Sequence, residues 1–324
     1  MQKYNCKCIQ TNPTSSLAIF VIGFNRGYQT VQLLRNLNIC TSLSKYIALD
    51  GPRNSNDGLQ QEKMLSLIKK EKLATQVLVG KQNLGCAKGV LNSVDALFQV
   101  SGAEIAIILE DDCWPTAFFI DMVNESKCCL NSTVLSISGQ VANIGTQKSS
   151  QLSNYLMIHG WAISRKQWDR MIMKILASKE EKLIKHVSWK SRAFWKRTKQ
   201  MVERGSIDTW DAHMMWANWS IKESNLVMNG AFVQNIGEQS SREEEFVSSK
   251  NETRHFLPQL TSFENREYWI ERHFFGITEL KALFWLVRNF LGFFAKKLNM
   301  SKNQFHEDLE QSLSRTINQR FWEI

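Results

Sequence analysis

Residues 16–138 alternate short aliphatic runs with longer stretches in which apolar residues recur at helical spacing, and this alternation constrains the fold more than any other feature. The runs have the length of strands: Leu17–Ile22, Tyr46–Leu49, Gln76–Val79, Ile105–Leu109 and Val134–Ile137. The helical stretches between them are Gln29–Leu37, Leu59–Glu71, Ala87–Val100 and Phe118–Leu130. Strands that alternate with helices predict an α/β fold, with a mostly parallel sheet flanked by helices. Such sheets bind ligands at the carboxyl ends of their strands, so the residues after each run are the candidates for chemistry.

The pattern is less regular from about residue 154 to residue 239, where tryptophan is frequent. We predict a strand over Tyr155–Ile163 and helices over Arg165–Ala177, roughly Lys179–Glu203 and about Asp208–Trp219. Asn225–Val227 and Ala231–Val233 are short strand candidates.

The charge and the cysteines narrow the class of protein. The chain of 324 residues carries a formal net charge of +9, which suits an anionic partner such as anionic lipid or a phosphorylated small molecule. We expect no nucleic-acid partner, because neither a zinc-finger spacing nor a Gly/aromatic RNA-binding signature occurs. Seven scattered cysteines without a paired CxxC predict a reducing compartment. Since no long apolar run opens the sequence, we expect a cytoplasmic protein without a signal peptide.

The strongest chemical signal is the acidic triplet Glu110-Asp111-Asp112, which follows the fourth aliphatic run directly. Three adjacent carboxylates repel one another and gain nothing from a core, but together they can share a divalent cation. A hard cation such as Mg²⁺ or Mn²⁺ prefers carboxylate oxygen and also binds a diphosphate. The alternative is an acidic turn that caps the next helix, where negative charge is also favourable.

The segment ILEDD, followed by a helix with Phe118 and Phe119, resembles the metal-binding motif of GT-A glycosyltransferases. The sequence is similar to family-2-like members, to N-acetylglucosaminyltransferase I and to bacterial relatives from polysaccharide gene clusters, over roughly residues 17–242. The resemblance implies a GT-A (Rossmann-like) domain that moves a hexosyl or N-acetylhexosaminyl group from a nucleotide sugar, with UDP favoured. The acceptor would be a saccharide or lipid-linked, the transfer inverting, and the cofactor Mn²⁺ or Mg²⁺.

The same resemblance assigns residues to the donor site. The metal would lie mainly on Asp112, with Asp111 facing ribose or metal and Glu110 in support. The remaining donor contacts would come from the ends of the first three strands: Asn25 and Arg26 near base or diphosphate, Asp50 on the base, Gly85 beside the donor and Lys88 on phosphate. Each of these also fits an ordinary helix-entry loop or turn.

The acceptor side would come from the second half. The resemblance makes Asp211 the general base, which takes the proton of the acceptor hydroxyl as that hydroxyl attacks the sugar. Trp161 and Trp210 would contact the acceptor, although a core tryptophan is an equally ordinary interpretation of Trp161. Asp208 is interpreted as the N-cap of the helix that carries Asp211. In the loop after the last family strand, Ser240, Ser241 and Arg242 stand where relatives often carry His or Thr.

We therefore expect an N-terminal extension (1–15), a catalytic domain (16–257, with a nucleotide-sugar half up to 138 and an acceptor half from 139) and a helical C-terminal appendage (258–324). Within the appendage, the nearly apolar segment 278–298 either lies at a membrane surface, which would place the protein at the cytoplasmic face, or packs on protein, including a second copy. Two other functions stay open. One is a sugar-phosphate nucleotidyltransferase, although Gly23-Phe24-Asn25-Arg26 is poor in glycine for that class. The other is a non-catalytic membrane-surface scaffold, which would give the acidic triplet no role.

Overall fold

The structure is a computed structural model that describes residues 16–130, 134–139, 151–153, 155–177, 189–227, 232–235 and 322–323. The predicted N-terminal extension, the segment 278–298 and the loop with Arg242 lie outside these residues. Of the predicted helical appendage only 322–323 is described, as a short strand. The division of the chain into domains at 15, 138 and 257 stays a prediction.

The described elements alternate in the order expected for an α/β domain. The strands are β1 (Leu17–Gly23), β2 (Lys45–Leu49), β3 (Gln76–Gly80), β4 (Ile105–Glu110), β5 (Cys113–Pro115), β6 (Ser136–Ser138), β7 (Gln151–Ser153), β8 (Trp161–Ser164), β9 (Asn225–Val227), β10 (Val233–Asn235) and β11 (Trp322–Glu323). The helices are α1 (Gly27–Cys40), α2 (Ser55–Lys70), α3 (Gly85–Ser101), α4 (Ala117–Leu130), α5 (Arg165–Leu176), α6 (Trp189–Glu203) and α7 (Trp210–Ile221).

Nine of the described strands form one sheet, in the order β11-β3-β2-β1-β4-β8-β6-β9-β7. The neighbours from β3 to β4 are all parallel, whereas β8 is antiparallel to both β4 and β6. Strands β5 and β10 form a separate antiparallel pair. The predicted α/β class with a mostly parallel sheet flanked by helices is therefore confirmed.

Both faces of the sheet are covered, which explains why its central strands read as unbroken apolar runs. In β1, Phe20 faces a cluster that includes α3, α5 and α7, and the neighbouring Ile19 and Val21 face a second cluster with α1, α2 and α4. All three side chains are fully buried. Because the helices cover both faces, polar side chains that could bind a ligand are confined to the ends of the strands.

One predicted strand differs from the structure. The strand predicted over Tyr155–Ile163 is confined to β8, because Gly160, at φ +70°, turns the chain just before it. The second predicted helix of the second half, α6, is described from Trp189 to Glu203, and the predicted residues before 189 lie outside the described ranges. Strands β5, β7 and β11 are too short for periodicity to identify them. Within the described ranges, no helix has both the length and the apolar character needed to cross a lipid bilayer.

We predict that Gly51→Ala lowers the free energy of unfolding by about 1–3 kcal/mol, the usual range for overpacking. Gly51 follows β2, and an added Cβ would overlap the backbone of Gln82 after β3, where no side-chain rotation relieves the clash. Chemical denaturation monitored by circular dichroism measures the change. Gly58→Ala is the matched control, since its Cβ would lie 4.0 Å from the nearest heavy atom and the residue is inside α2. That change should be neutral or stabilising by about 0.5–1 kcal/mol, and equal effects of both substitutions would contradict the prediction.

Candidate donor and metal site

The carboxyl ends of β1, β2, β3 and β4 open into one cavity of about 380 Å³. Five residues predicted from the sequence line it: Arg26, Asp50, Gly85, Glu110 and Asp111. Further lining residues with polar side chains are Arg53, Asn83, Cys86, Ser93 and Asp208. The structure thus brings these five residues together at the ends of the strands, and their binding of a ligand stays a prediction.

The acidic triplet is held to the end of β1 by Arg26. Its guanidinium forms an ion pair with Asp111, and its Nη1 donates to Asp112 Oδ2 at 2.8 Å. The side chain of Asp111 is 2% exposed and that of Asp112 13%, whereas Arg26 is 33% exposed. Both predicted metal ligands therefore share one arginine partner, which the sequence interpretation had assigned to the nucleotide.

Burial dominates the electrostatics of the triplet. Burial, together with the neighbouring charges of Asp112 and Asp111, raises the pKa of Glu110 to about 8. Burial also raises the pKa of Asp111 to about 6, although the Arg26 charge acts in the opposite direction. One guanidinium thus compensates three crowded carboxyl groups only in part, and additional positive charge at this place would be favourable.

Asp50 organises the loop between β3 and α3. Its carboxylate accepts hydrogen bonds from the backbone amides of Leu84 and Gly85 at 2.9 and 3.2 Å, and from the side-chain amide of Asn83 at 2.9 Å. Burial raises its pKa to about 6 against the lowering effect of these bonds. The predicted contact with a nucleotide base would have to share these oxygens, whose present partners are all protein groups.

Asp208 corrects one interpretation made from the sequence. It does not cap α7, whose N-cap is Thr209; it caps α3, where its oxygens accept from the amides of Cys86 at 2.7 Å and Ala87 at 3.0 Å. Gly85 makes room for this contact, since it has φ +81° and an added Cβ would overlap the Asp208 carboxylate. A residue of the second half therefore closes the N-terminus of a helix in the first half.

The two remaining residues for which the resemblance predicts donor contact, Asn25 and Lys88, are not among those that line the cavity. The side-chain amide of Asn25 donates to Asp57 Oδ1 at 2.7 Å, so this residue anchors the first loop to α2. Arg53 also donates to Asp57, at 2.9 Å from Nε, and its guanidinium stacks over the Phe24 ring at 4.6 Å. Lys88 is half-buried in the first turn of α3 and is not among the lining residues.

Asp211, the predicted base, opens α7 and accepts a hydrogen bond from the Thr209 hydroxyl. It is half-buried and lies near enough to Glu110 for its charge to raise the pKa of that carboxyl. The predicted base thus acts electrostatically on Glu110 from an element almost 100 residues further along the sequence, but it is not among the residues that line the cavity.

Trp161 and Trp210 have a different place from the one predicted. Their rings stack on each other at 6.0 Å between centroids, and the two residues are 1% and 3% exposed. A sugar cannot stack on rings that are covered by other side chains. We therefore correct their predicted role in acceptor binding: in this structure they pack β8 against α7 in the core.

The site also contains residues that the sequence analysis did not single out. Cys113 is fully buried, and its Sγ atom lies 3.9 Å from His159 Nδ1. One ligand atom each from Cys113, His159 and Glu110 lie within 4.8 Å of one another. The side-chain amide of Asn235 is 3.0 Å from His159 Nδ1. No sequence spacing relates positions 113, 159 and 235, so only the fold could have identified the group.

The comparisons with known proteins are limited to structure. No protein-family model and no curated protein matches the sequence. A solved structure of S. aureus TarS residues 1–349 matches with a TM-score of 0.39 and 9% identity, and covers 67% of this chain and 59% of that one. A second S. aureus TarS structure has a TM-score of 0.40 and 11% identity, with 67% and 36% covered. The chain thus spans less than two thirds of the length of either structure.

We predict that Asp208→Ala accelerates hydrogen exchange at the amides of Cys86 and Ala87, because these two donors lose their acceptor, and costs about 1 kcal/mol of stability, as lost helix caps do. Exchange measured by mass spectrometry on peptides from α3 and α7 separates the two assignments. Faster exchange in the first turn of α7, with α3 unchanged, would restore the interpretation of Asp208 as the cap of α7.

We predict that Asp57 contributes to acid stability. Hydrogen bonds from Arg53, and then from Asn25, lower its pKa from 3.8 to about 2. A depressed carboxyl pKa adds stability that is fully present above pH 3.8 and is lost as the pH falls through about 2. Between these two pH values, the free energy of unfolding of Asp57→Asn should therefore fall less steeply with decreasing pH than that of the wild type, as measured by chemical denaturation at each pH. Asp121→Asn, on the exposed face of α4, is the control and should keep the wild-type slope.

Proposed function

We propose that this chain is a GT-A glycosyltransferase that moves a sugar from a nucleotide sugar to a saccharide or lipid-linked acceptor, with a divalent cation as cofactor. The observation that carries the proposal is the convergence of Asp111 and Asp112 with Arg26 at the carboxyl edge of a parallel sheet, next to a cavity of about 380 Å³. A group at this edge sits where open α/β sheets bind their ligands.

The charge of the cavity supports a cation. Its lining includes four carboxyl groups and two guanidinium groups: Asp50, Glu110, Asp111, Asp208, Arg26 and Arg53. A nucleoside diphosphate is itself anionic, so it would meet a net negative surface unless a cation compensated it. Carboxylate oxygens are the ligands that Mg²⁺ and Mn²⁺ prefer, and the residues present therefore fit such an ion.

The N-terminus of α3 supports the same conclusion. A free helix N-terminus is a common phosphate site in α/β proteins. Here the first amides of α3 already donate to Asp50 or Asp208. The diphosphate would therefore bind at Arg26 and at a divalent ion held by the acidic triplet. That ion would neutralise the charge of the leaving nucleoside diphosphate.

Arg26 has two alternative partners in this proposal. Its guanidinium now pairs with Asp111 and Asp112, and it is exposed enough to turn toward the cavity. Phosphate oxygens offer it the same charge-assisted hydrogen bonds. Arg26 thus compensates the acids in the free protein and binds the donor diphosphate when those acids hold a cation.

Asp211 is the proposed general base. Its carboxylate is oriented by the hydrogen bond from Thr209 and lies on the α7 side of the triplet. An inverting transfer needs one carboxylate that takes the proton of the acceptor hydroxyl as this attacks the anomeric carbon. The buried pair Trp161 and Trp210 holds α7 at this place, and acceptor contact by these rings is not part of the proposal.

The finer assignments follow the sequence resemblance. They are UDP as the nucleotide, a hexosyl or N-acetylhexosaminyl group as the sugar, surface polysaccharide as the product, and a cytoplasmic location at the membrane face. None of the described residues selects one sugar over another, so a thermal-shift screen of nucleotide sugars with Mn²⁺ is the first experiment, because a bound donor stabilises the fold by mass action.

We predict that hydrolysis of the selected nucleotide sugar, or its transfer, requires Mn²⁺ or Mg²⁺ and is abolished by EDTA. Asp211→Asn should lower kcat about 10²–10⁴-fold, the usual range for loss of a general base, and leave the donor-induced thermal shift in place. Asp112→Asn should remove the Mn²⁺-dependent part of that shift. Asp121→Asn is the surface control and should behave as wild type.

Two results would contradict the proposal. Turnover that survives EDTA and Asp112→Asn would exclude the cation from the reaction. Equal donor binding without turnover in the wild type and in both variants would favour the scaffold. Conversion of the nucleotide sugar and added pyrophosphate into a nucleoside triphosphate and a sugar 1-phosphate would favour the nucleotidyltransferase.

A further inference from the structure

One residue of the acidic triplet also belongs to a group of potential ligands of a different chemical type. The group consists of Glu110, Cys113 and His159, and we refer to it as the Cys–His–Glu cluster. Its three ligand atoms, one oxygen, one sulfur and one nitrogen, all lie within 4.8 Å of one another. Sulfur and imidazole nitrogen are poor ligands for Mg²⁺ and good ligands for Zn²⁺ and Co²⁺.

The separations in the cluster suit a single ion. Zinc binds thiolate at about 2.3 Å and imidazole at about 2.0–2.1 Å, so two such ligands on one tetrahedral ion are about 3.5 Å apart. Cys113 Sγ and His159 Nδ1 are 3.9 Å apart, and a shift of a few tenths of an ångström would bring them to that value. A thiolate and a carboxylate with a neutral imidazole carry a total charge that balances a divalent ion.

The backbone holds the cluster together from separate elements. Cys113 opens β5, and its partner in the register of the β5–β10 pair is Asn235. His159 is kept against β10 by Gly160, where an added Cβ would lie 2.6 Å from the methyl carbons of Val233. The positions of the sulfur and the imidazole are therefore fixed by strand pairing and packing, which is the pre-organisation that metal sites require.

Asn235 and Asp112 contact the sulfur and nitrogen atoms of the cluster in this structure. The Asn235 side-chain amide is 3.0 Å from His159 Nδ1 and 3.8 Å from Cys113 Sγ. Cys113 is fully buried and its thiol lies 3.5 Å from Asp112 Oδ1. A bound ion would replace these contacts, because Nδ1 gives its lone pair to the metal and the thiol loses the proton that it shares with Asp112.

We propose that Glu110, Cys113 and His159 form a site for a borderline divalent metal of the Zn²⁺ or Co²⁺ type, distinct in chemistry from the oxygen-only site on Asp111 and Asp112. The ion binds the Cys113 thiolate, the imidazole Nδ1 and a Glu110 oxygen, and the thiol proton leaves to solvent. The Asn235 side chain or water completes the coordination. The site shares Glu110 with the acidic triplet, but Cys113 and His159 have no part in the proposed sugar transfer, so substitutions of these two residues test the metal site separately.

The test uses Co²⁺ as a spectroscopic probe on the full chain, stripped of metal, in a Cys6→Ser/Cys8→Ser background that removes the Cys-x-Cys pair at the N-terminus. We expect one equivalent of Co²⁺ to produce a thiolate-to-cobalt charge-transfer band that Zn²⁺ abolishes and Mn²⁺ does not. Cys113→Ser should remove the band, and His159→Gln should weaken Co²⁺ binding at least about tenfold. Cys129→Ser is the matched control, a buried cysteine in α4 that should leave the band unchanged.

A wild-type protein without a charge-transfer band, or a band that persists in Cys113→Ser, would overturn the proposal. If circular dichroism shows that Cys113→Ser does not fold, the half-buried His159 decides, since unchanged Co²⁺ affinity in His159→Gln would equally overturn it. Failure of the sugar-transfer proposal has a separate signature, because it is read from nucleotide-sugar turnover with Mn²⁺ and not from the cobalt spectrum.

Discussion

The pairing of Arg26 with Asp111 and Asp112 is the interaction on which the rest of the site depends. Adjacent carboxylates at the end of a buried strand repel each other and lose hydration, and the guanidinium supplied by the neighbouring strand offsets both costs. Because β1 and β4 are adjacent and parallel, their ends reach the same edge with no further adjustment. Arg26 thus holds the carboxylates in place, but its single positive charge does not balance their negative charges. Under this condition a cation and an anionic donor would bind together.

The carboxylates of Asp50 and Asp208 serve a different purpose, because they bind backbone amides. Between them they occupy the beginning of α3, one from the β2 end and one from the segment before α7. Gly85 lies between the two acids, and its positive φ and missing Cβ make the double contact sterically feasible. This clamp ties the half of the fold that would bind the donor to the half that carries Asp211, so the geometry of the proposed base depends on a loop that is distant from it in sequence.

The interpretations that failed share one physical reason. Asp208 was assigned to the helix that follows it, because capping is usually local, but its oxygens reach a helix more than 100 residues earlier. The family resemblance places Trp161 and Trp210 at the acceptor, but the two rings cover each other in the core. In each case the residue type was informative, and the partner was decided by which elements the fold places side by side.

The sequence by itself determined the α/β class, the four parallel strands from β1 to β4 and the clustering of Arg26, Asp50, Gly85, Glu110 and Asp111 at one edge. It could do so because apolar periodicity is local and parallel strands end on the same side. Only the tertiary structure decided which acid each arginine pairs with, where Asp208 binds, and that Cys113, His159 and Asn235 meet. Those contacts join residues that have no fixed spacing along the chain. They form only when strands of the second half, such as β8 and β10, lie next to strands of the first half.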